Sequence, residues 1–304
     1  MKFRDKINLL QKNLNLKEIE LISFDEANGV SISVVSDNHE KLLLKVCLVG
    51  DKLNYHRYKN EAIKTLALTQ EQTRDDVNYF SQLSRFNQTD DLFWLCRKFY
   101  HGDVLCSETK GIDGKFALDR YYVLSDKYIS QPKKIILKLR ESLDYLWGLS
   151  PAIIPGGEKI RFDLTEVDQF KLEKYVDFQL GEQLKLAKEF DGKNIAISVS
   201  DLVPPNIIIS ENDIIISDLE WLCQDNKFID VAYFWLFLNR YPNWQKELIN
   251  EFVQPENRIE FISALTRILL WWFDFVRRKF SESQQKLLLD SIWLEYLKDP
   301  KKVI

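Results

Sequence analysis

Residues 17–48 carry a strand-like pattern of apolar and polar positions. Lys17 to Ser23 is a short apolar-rich run, Val30 to Val35 is β-branched and partly alternating, and Leu42 to Leu48 is almost wholly apolar. Between the first two lies Phe24-Asp25-Glu26-Ala27-Asn28-Gly29, in which Asn-Gly is a strong turn signal. Ser36 to Glu40 is a polar turn before the third run. Three strands joined by short turns predict an antiparallel meander. The period then changes: Tyr58, Ala62, Ile63, Leu66 and Ala67 fall at helical spacing. Leu92 to Leu95 returns to a strand, continued through Cys96 to Tyr100 and ended by His101-Gly102-Asp103.

Beyond that point helical spacing dominates. Ile136, Leu139, Leu143, Leu146 and Trp147 mark one face of a helix over about 133–148, broken by Pro151, Pro155, Gly156 and Gly157. Residues 166–190 carry another helical pattern, and Ile229 to Leu297 reads as several tryptophan-rich helices. One stretch departs from this. Asn206 to Ile209 and Ile214 to Ser217 are short strands around the turn Ser210-Glu211-Asn212-Asp213, a β-hairpin among helices. The expected class is α+β, with a sheet lobe over residues 1–97 and a mainly helical lobe over residues 98–304.

Composition and charge narrow the reading. The chain has 304 residues, 45% hydrophobic and 29% charged, in the range of folded globular proteins. Its 42 basic and 46 acidic side chains give a net charge of -4 without any block of like charge, so charge gives no support for a nucleic-acid partner and none is expected. Cys47, Cys96, Cys106 and Cys223 have no CxxC spacing, and His39, His56 and His101 are too dispersed for a zinc site. The N-terminus lacks a secretory-signal pattern, and the most apolar stretch, Ile262 to Val276, is interrupted by Arg267 and Asp274. The expectation is a cytoplasmic protein with no integral membrane association.

The hairpin carries candidate chemistry. With a four-residue turn Ile209 faces Ile214, which sets Asn206 opposite Ser217 and next to Asp218. Asp201 precedes Asn206 by five residues, on a loop stiffened by Pro204 and Pro205, and Glu220 follows Asp218 by two. Three carboxylates and a carboxamide of this kind suit Mg²⁺, a hard cation that takes oxygen ligands and shares substrate phosphates. Asp and Asn are also ordinary turn and cap residues, so the pattern carries weight only as a set. Lys45 supplies a second clue, in the middle of an apolar strand. Either that strand is an edge with Lys45 turned to solvent, or the ammonium is buried and paired. Glu61, sixteen residues on in the following helix, is the available partner.

Taken together these residues resemble the aminoglycoside phosphotransferase and choline kinase-like family, of protein-kinase-like fold. The family's H-G-D-x-x-x-x-N loop has its counterpart in Val199-Ser200-Asp201-Leu202-Val203-Pro204-Pro205-Asn206. Its I-D-W-E type segment resembles Ser217-Asp218-Leu219-Glu220-Trp221, and its D-L-A resembles Asp230-Val231-Ala232. Phe93 to Gly102 resembles the hinge that binds adenine. The resemblance, over about residues 17–240, implies a two-lobed fold with the catalytic hairpin embedded in the helical lobe. It implies ATP and Mg²⁺ as cofactors and transfer of a phosphoryl group to a hydroxyl of a small molecule.

The resemblance also assigns roles. Lys45 would hold the α- and β-phosphates with Glu61 orienting it, and Arg97 and Phe99 would lie at the nucleotide. Asp201 would meet the substrate hydroxyl, while Asn206, Asp218 and Glu220 would serve the metal. Asp230 would brace the catalytic loop. Only twelve residues separate Asp218 from Asp230, too few for the activation segment of a protein kinase, which favours a small acceptor. Trp221 is the pocket candidate among the aromatics, whereas Trp271 and Trp272 sit in a strongly apolar helix where at least one is expected in the core. Three departures stand out: Val199 and Val203 replace family histidines, Ser200 replaces a glycine, and the nucleotide-covering turn has the single glycine Gly29. They leave a catalytically inactive, nucleotide-binding or scaffold protein as the alternative.

Overall fold

The computed structural model describes every residue except 1, 38, 111–120, 155–160, 191, 211–212 and 304. The predicted turn residues Asn38, Glu211 and Asn212 and the helix-breaking Pro155, Gly156 and Gly157 lie outside the described residues. The chain divides into two compact units. The first comprises Met1–Asp103 together with Ser210–Leu222, and the second Val104–Ile209 together with Cys223–Ile304.

The first unit is built on a helix α1 (Phe3–Asn13), strands β1 (Lys17–Asp25), β2 (Val30–Ser36) and β3 (Lys41–Leu48), a long helix α2 (Lys52–Arg74), and strands β4 (Leu83–Gln88) and β5 (Leu92–Lys98). The strands form one sheet in the order β1-β2-β3-β5-β4, every pair antiparallel. The predicted meander is thus present, and β3 lies at its centre. That position explains why β3 is apolar apart from Lys41 and Lys45, because both of its faces are covered. Leu42, Leu44 and Val46 pack on one side with Phe3, Ile7 and Leu10 of α1. Cys47 packs on the other side with Tyr58 and Ala62 of α2. Each fully buried Leu or Val contributes about 1.5–3 kcal/mol to stability.

Strand alternation places Lys45 on the α2 side, two residues from Cys47. It lies opposite Ile32 on β2 and Leu95 on β5. A central strand leaves no solvent-facing route, so the edge-strand alternative for Lys45 does not hold; the residue is 4% exposed. Helix α2 starts at Asp51, whose carboxylate accepts from the Leu53 and Asn54 amides. Its buried positions include Tyr58, Glu61, Ala62, Thr65, Leu68 and Gln72, a stripe at helical spacing that faces the sheet. Near the far end Gln72 accepts from the Tyr79 and Phe80 amides and fixes the chain entering β4. The turn between β1 and β2 requires Gly29. Its φ is +59, and a Cβ there would stand 2.4 Å from the Leu48 side chain.

The second unit is mainly helical. Its longest helix, Arg258–Lys279, is buried along most of its length and packs against Phe228–Phe237 and Gly181–Lys188. Aromatic side chains fill this core: Phe237 meets Tyr233, Trp272 and Trp293 at centroid distances of 4.9, 6.5 and 5.3 Å. Trp272 is buried as expected, and Trp235, Trp244 and Trp293 are buried with it. The expected helix over about 133–148 is Pro132–Gly148. A two-stranded antiparallel ribbon joins Ile195–Ser198 to Cys223–Asn226, with Ser198 opposite Cys223. The two arms of the expected hairpin are the strands Ile207–Ser210 and Asp213–Ile216. In the first unit Ile216 bridges to Phe80, and its amide donates to the Tyr79 carbonyl.

Candidate active site

Within the first unit, three acids and three cations form one cluster. Lys45 Nζ donates to both carboxylate oxygens of Glu61, at 3.0 and 3.1 Å, and to Asp218 Oδ1 at 2.9 Å. Its three hydrogens are thereby all engaged. Glu61 also pairs with Arg97 at 3.1 Å. Glu220, two residues after Asp218, is held by Arg57, whose Nε and Nη2 engage both of its oxygens. Arg57 lies one turn before Glu61 on α2, so that helix supplies an anion to Lys45 and a cation to Glu220 from one face. Burial alone would raise the pKa of Asp218, but Lys45, Arg97 and Arg57 hold it well below the ordinary carboxylate range. Burial and the neighbouring Asp218 push Glu220 the other way. Asp218 adopts φ +59, a conformation rare for a residue with a side chain and found where structure forces it.

The second unit holds the loop predicted to be catalytic. Asp230, fully buried on helix Phe228–Phe237, accepts from Ser198 Oγ (3.1 Å), the Val199 amide (3.1 Å) and the Ser200 amide (2.8 Å). These bonds brace the start of the loop. Burial raises the Asp230 carboxyl to about 7 against the pull of those donors. Ser200 has φ +56, and its hydroxyl lies 2.9 Å from Ser198 Oγ and 3.2 Å from Cys223 Sγ. Asn206 Nδ2 donates to the Asp201 carbonyl at 2.9 Å, closing the loop on itself. The Asp201 carboxylate pairs with Arg161, whose guanidinium also donates to the Ser200 carbonyl (2.8 Å) and to Tyr233 Oη (3.2 Å). Arg161 thus fixes both the carboxylate and the backbone of the loop.

Solved structures of the same architecture decide how this fold is classed. No protein-family model matches the chain, and no curated protein matches it by sequence. Among solved structures, the aminoglycoside phosphotransferase APH(4)-Ia superposes with a TM-score of 0.63 at 10% identity, covering 97% of each chain. The fold is that of the aminoglycoside phosphotransferases. Another structure of APH(4)-Ia, a thermostable mutant in ternary complex with ADP and hygromycin B, gives 0.63 at 9% identity, over 95% of this chain and 96% of that one. The amicoumacin kinase hAmiN, in complex with AMP-PNP, Ca²⁺ and Ami, gives 0.58 at 10% identity, over 98% and 95%. These neighbours are small-molecule kinases.

Against the aminoglycoside phosphotransferase pattern, the serine in place of the loop glycine has a local explanation. The position needs a left-handed backbone, for which glycine is the default. Here the Ser200 amide and hydroxyl are both held, which offsets the strain. Of the residues singled out from the sequence, Lys45, Glu61, Arg97, Asp218 and Glu220 belong to the first unit's cluster. Phe99 is half-buried in the same unit, its ring edge-on to His101 at 5.3 Å. Asp201 and Asn206 share the loop of the second unit. Trp221 is 38% exposed. Arg57 and Arg161 were not anticipated: each is a single arginine without motif, and each reaches a partner far along the chain.

The donor set fits an oxygen-seeking divalent cation. Glu61, Asp218 and Glu220 each present a carboxylate oxygen, all within 4.8 Å of one another. Among the described residues no helix is long and apolar enough to cross a membrane.

Proposed function

We propose that the protein is a phosphotransferase that moves the γ-phosphoryl group of ATP to a hydroxyl of a small molecule, aminoglycoside-, choline- or sugar-like. The observation that carries this reading is the buried Lys45 ammonium held between Glu61 and Asp218. A lone structural ion pair needs one acid. An ammonium with a fixed acid on one side and a partly exposed acid on the other is arranged to exchange the second. In this reading Lys45 meets the α- and β-phosphates, Glu61 keeps its direction, and Arg97 holds Glu61. The hinge around Phe99 receives the base. Within the first unit Asp218 would hold Mg²⁺ with Glu220 beside it, and in the second unit Asn206 and Asp201 keep the metal-binding and hydroxyl-orienting roles that the resemblance assigns them. When bound, Mg²⁺ neutralises charge on the β- and γ-phosphate oxygens. The side chains contribute position and electrostatics, which is most of what phosphoryl transfer requires. The twelve-residue interval from Asp218 to Asp230 supports a small acceptor over a peptide.

One observation favours a second reading, a nucleotide-binding protein without turnover: the Asp201 carboxylate is already engaged by Arg161. The deciding experiment is thermal unfolding with ATP, with and without Mg²⁺, followed by ADP and phosphorylated-product formation in the presence of hydroxylated acceptors. Ligand at a hundred times Kd stabilises by about 2.7 kcal/mol, readily seen as a raised midpoint. A Mg²⁺-dependent rise with transfer supports the kinase. A rise without transfer to any acceptor supports the second reading, and no rise with any nucleotide overturns both.

A further inference from the structure

The cluster around Lys45 has a charge balance and a division of labour that point to one more residue. Glu61, Asp218 and Glu220 are matched by Lys45, Arg57 and Arg97. The matched groups differ in exposure. The side chains of Lys45, Glu61 and Arg97 are 5% exposed or less, whereas Asp218 is 32% and Arg57 45% exposed. The buried three are a fixed frame. Asp218 and Arg57 are the two ends that solvent, or a ligand arriving from solvent, can reach.

The turn that would cover the nucleotide in this fold supplies little. The Asn28 amide donates to Asp25 Oδ1 at 3.0 Å, and Asn28 Nδ2 donates to the other oxygen at 2.6 Å. The Gly29 carbonyl accepts from Leu48. A turn whose Asn28 amide and carboxamide close on its own aspartate offers a phosphate fewer donors than a glycine-rich loop does. The positive charge for the phosphates must then come from side chains. A guanidinium fork that grips a carboxylate by both oxygens fits two oxygens of a phosphate equally well.

Resting on the reading of this site as a nucleotide site, we propose that Arg57 is a phosphate-binding residue that is latched on Glu220 in the free protein. A metal–nucleotide complex supplies Glu220 with a new cationic partner and Arg57 with a new anionic one, so the two exchange together. Neither exchange is favourable alone: a bare metal ion would have to strip a paired Arg57 from Glu220, and a bare phosphate would leave the buried Glu220 uncompensated. Arg57 therefore makes metal and nucleotide binding mutually dependent.

The test is calorimetric titration with Mg²⁺–AMP-PNP, with AMP-PNP alone, with Mg²⁺ alone and with adenosine, on wild type, Arg57→Lys, Arg57→Ala and the double variant Arg57→Ala/Glu220→Gln. The double variant removes both charges and guards against misfolding of Arg57→Ala, which leaves Glu220 buried and unpaired. The proposal expects wild type to bind Mg²⁺–AMP-PNP far better than either component. It expects about tenfold or greater weakening in Arg57→Ala and in the double variant, the scale of a charge-assisted hydrogen bond, with adenosine affinity unchanged. Lysine should recover part of the loss. Wild-type binding with an unaffected or tighter double variant overturns the role of Arg57 and leaves the nucleotide site standing. No binding by wild type overturns both.

Discussion

Asp218 and Asp230 are the same residue type, twelve positions apart, and each has several polar partners, yet they are held in opposite ways. Asp218 faces ammonium and guanidinium groups that keep it ionised, and about a third of its side chain meets solvent. Asp230 faces two backbone amides and a hydroxyl, has no exposure, and is pushed up to about 7 by burial. Cations can be traded for another cation without moving the chain. Backbone amides cannot be traded for anything. The first arrangement suits a ligand site and the second a scaffold, and the kind of partner separates them as exposure does.

The same substitution at the two positions breaks or sharpens this contrast. Asp218→Asn keeps the shape and an acceptor for Lys45, but it removes the charge that a metal needs. On the proposed function, Mg²⁺-dependent transfer should fall at least about a thousandfold, as on loss of a charge stabiliser, while the protein stays folded. A discontinuous ATPase assay beside a thermal melt checks this; near-normal turnover would remove Asp218 from the mechanism. Asp230→Asn should do the reverse. Its carboxamide turns an N–H toward an amide that needs an acceptor, and folding should weaken by about 3 kcal/mol in urea titration. A variant of wild-type stability would show that the loop is not braced from Asp230.

Stability against pH separates the pair without comparing activities. The Asp230 carboxyl rises from 3.8 to about 7 on folding, so the folded state binds its proton more tightly. Its contribution is full below about pH 4 and is lost as pH rises toward and through about 7. Asp218 is lowered on folding, so its contribution is present above 3.8 and lost as pH falls through its folded value. Urea midpoints from pH 4 to 8 should therefore carry a falling component that Asp230→Asn removes and Asp218→Asn leaves. The smallest effect is expected at Ser200. Glycine there relaxes the left-handed backbone but loses two hydroxyl contacts, a net change within about 1 kcal/mol. Ser200→Ala keeps the strain and loses the contacts, so it should be the less stable of the two.

What the sequence made legible follows the range of the interaction. The meander, α2 and the long C-terminal helices were visible because their periods are local and their apolar faces are buried. β4 was not, because an edge strand reading Leu83-Ser-Arg-Phe-Asn-Gln carries little apolar signal. α1 carries only a weak signal although Phe3, Ile7 and Leu10 lie at helical spacing, since its remaining residues are mostly polar. Lys45 and Glu61 were legible as a pair because a charged residue inside an apolar strand demands a partner. Arg57 and Arg161 gave no such signal. An arginine on a polar helix face looks like solvent exposure, and the Arg57 partner lies 163 residues away.

The assignment of Ser210–Leu222 to the same unit as Met1–Asp103 has a consequence for how the protein is made. Lys45 and Asp218 are 173 residues apart, so during synthesis the ammonium has no second acid until the ribosome has passed most of the chain. The sheet and α2 are synthesised long before that, and Glu61, itself paired with Arg97, is on hand to hold Lys45 in the interval. The early chain carries a finished frame with one position open. The charge that completes it arrives from a segment whose flanking residues on both sides fold elsewhere. High sequence separation of this kind slows folding. The centre of greatest chemical interest thus cannot be complete until synthesis has passed residue 218, 173 residues after Lys45.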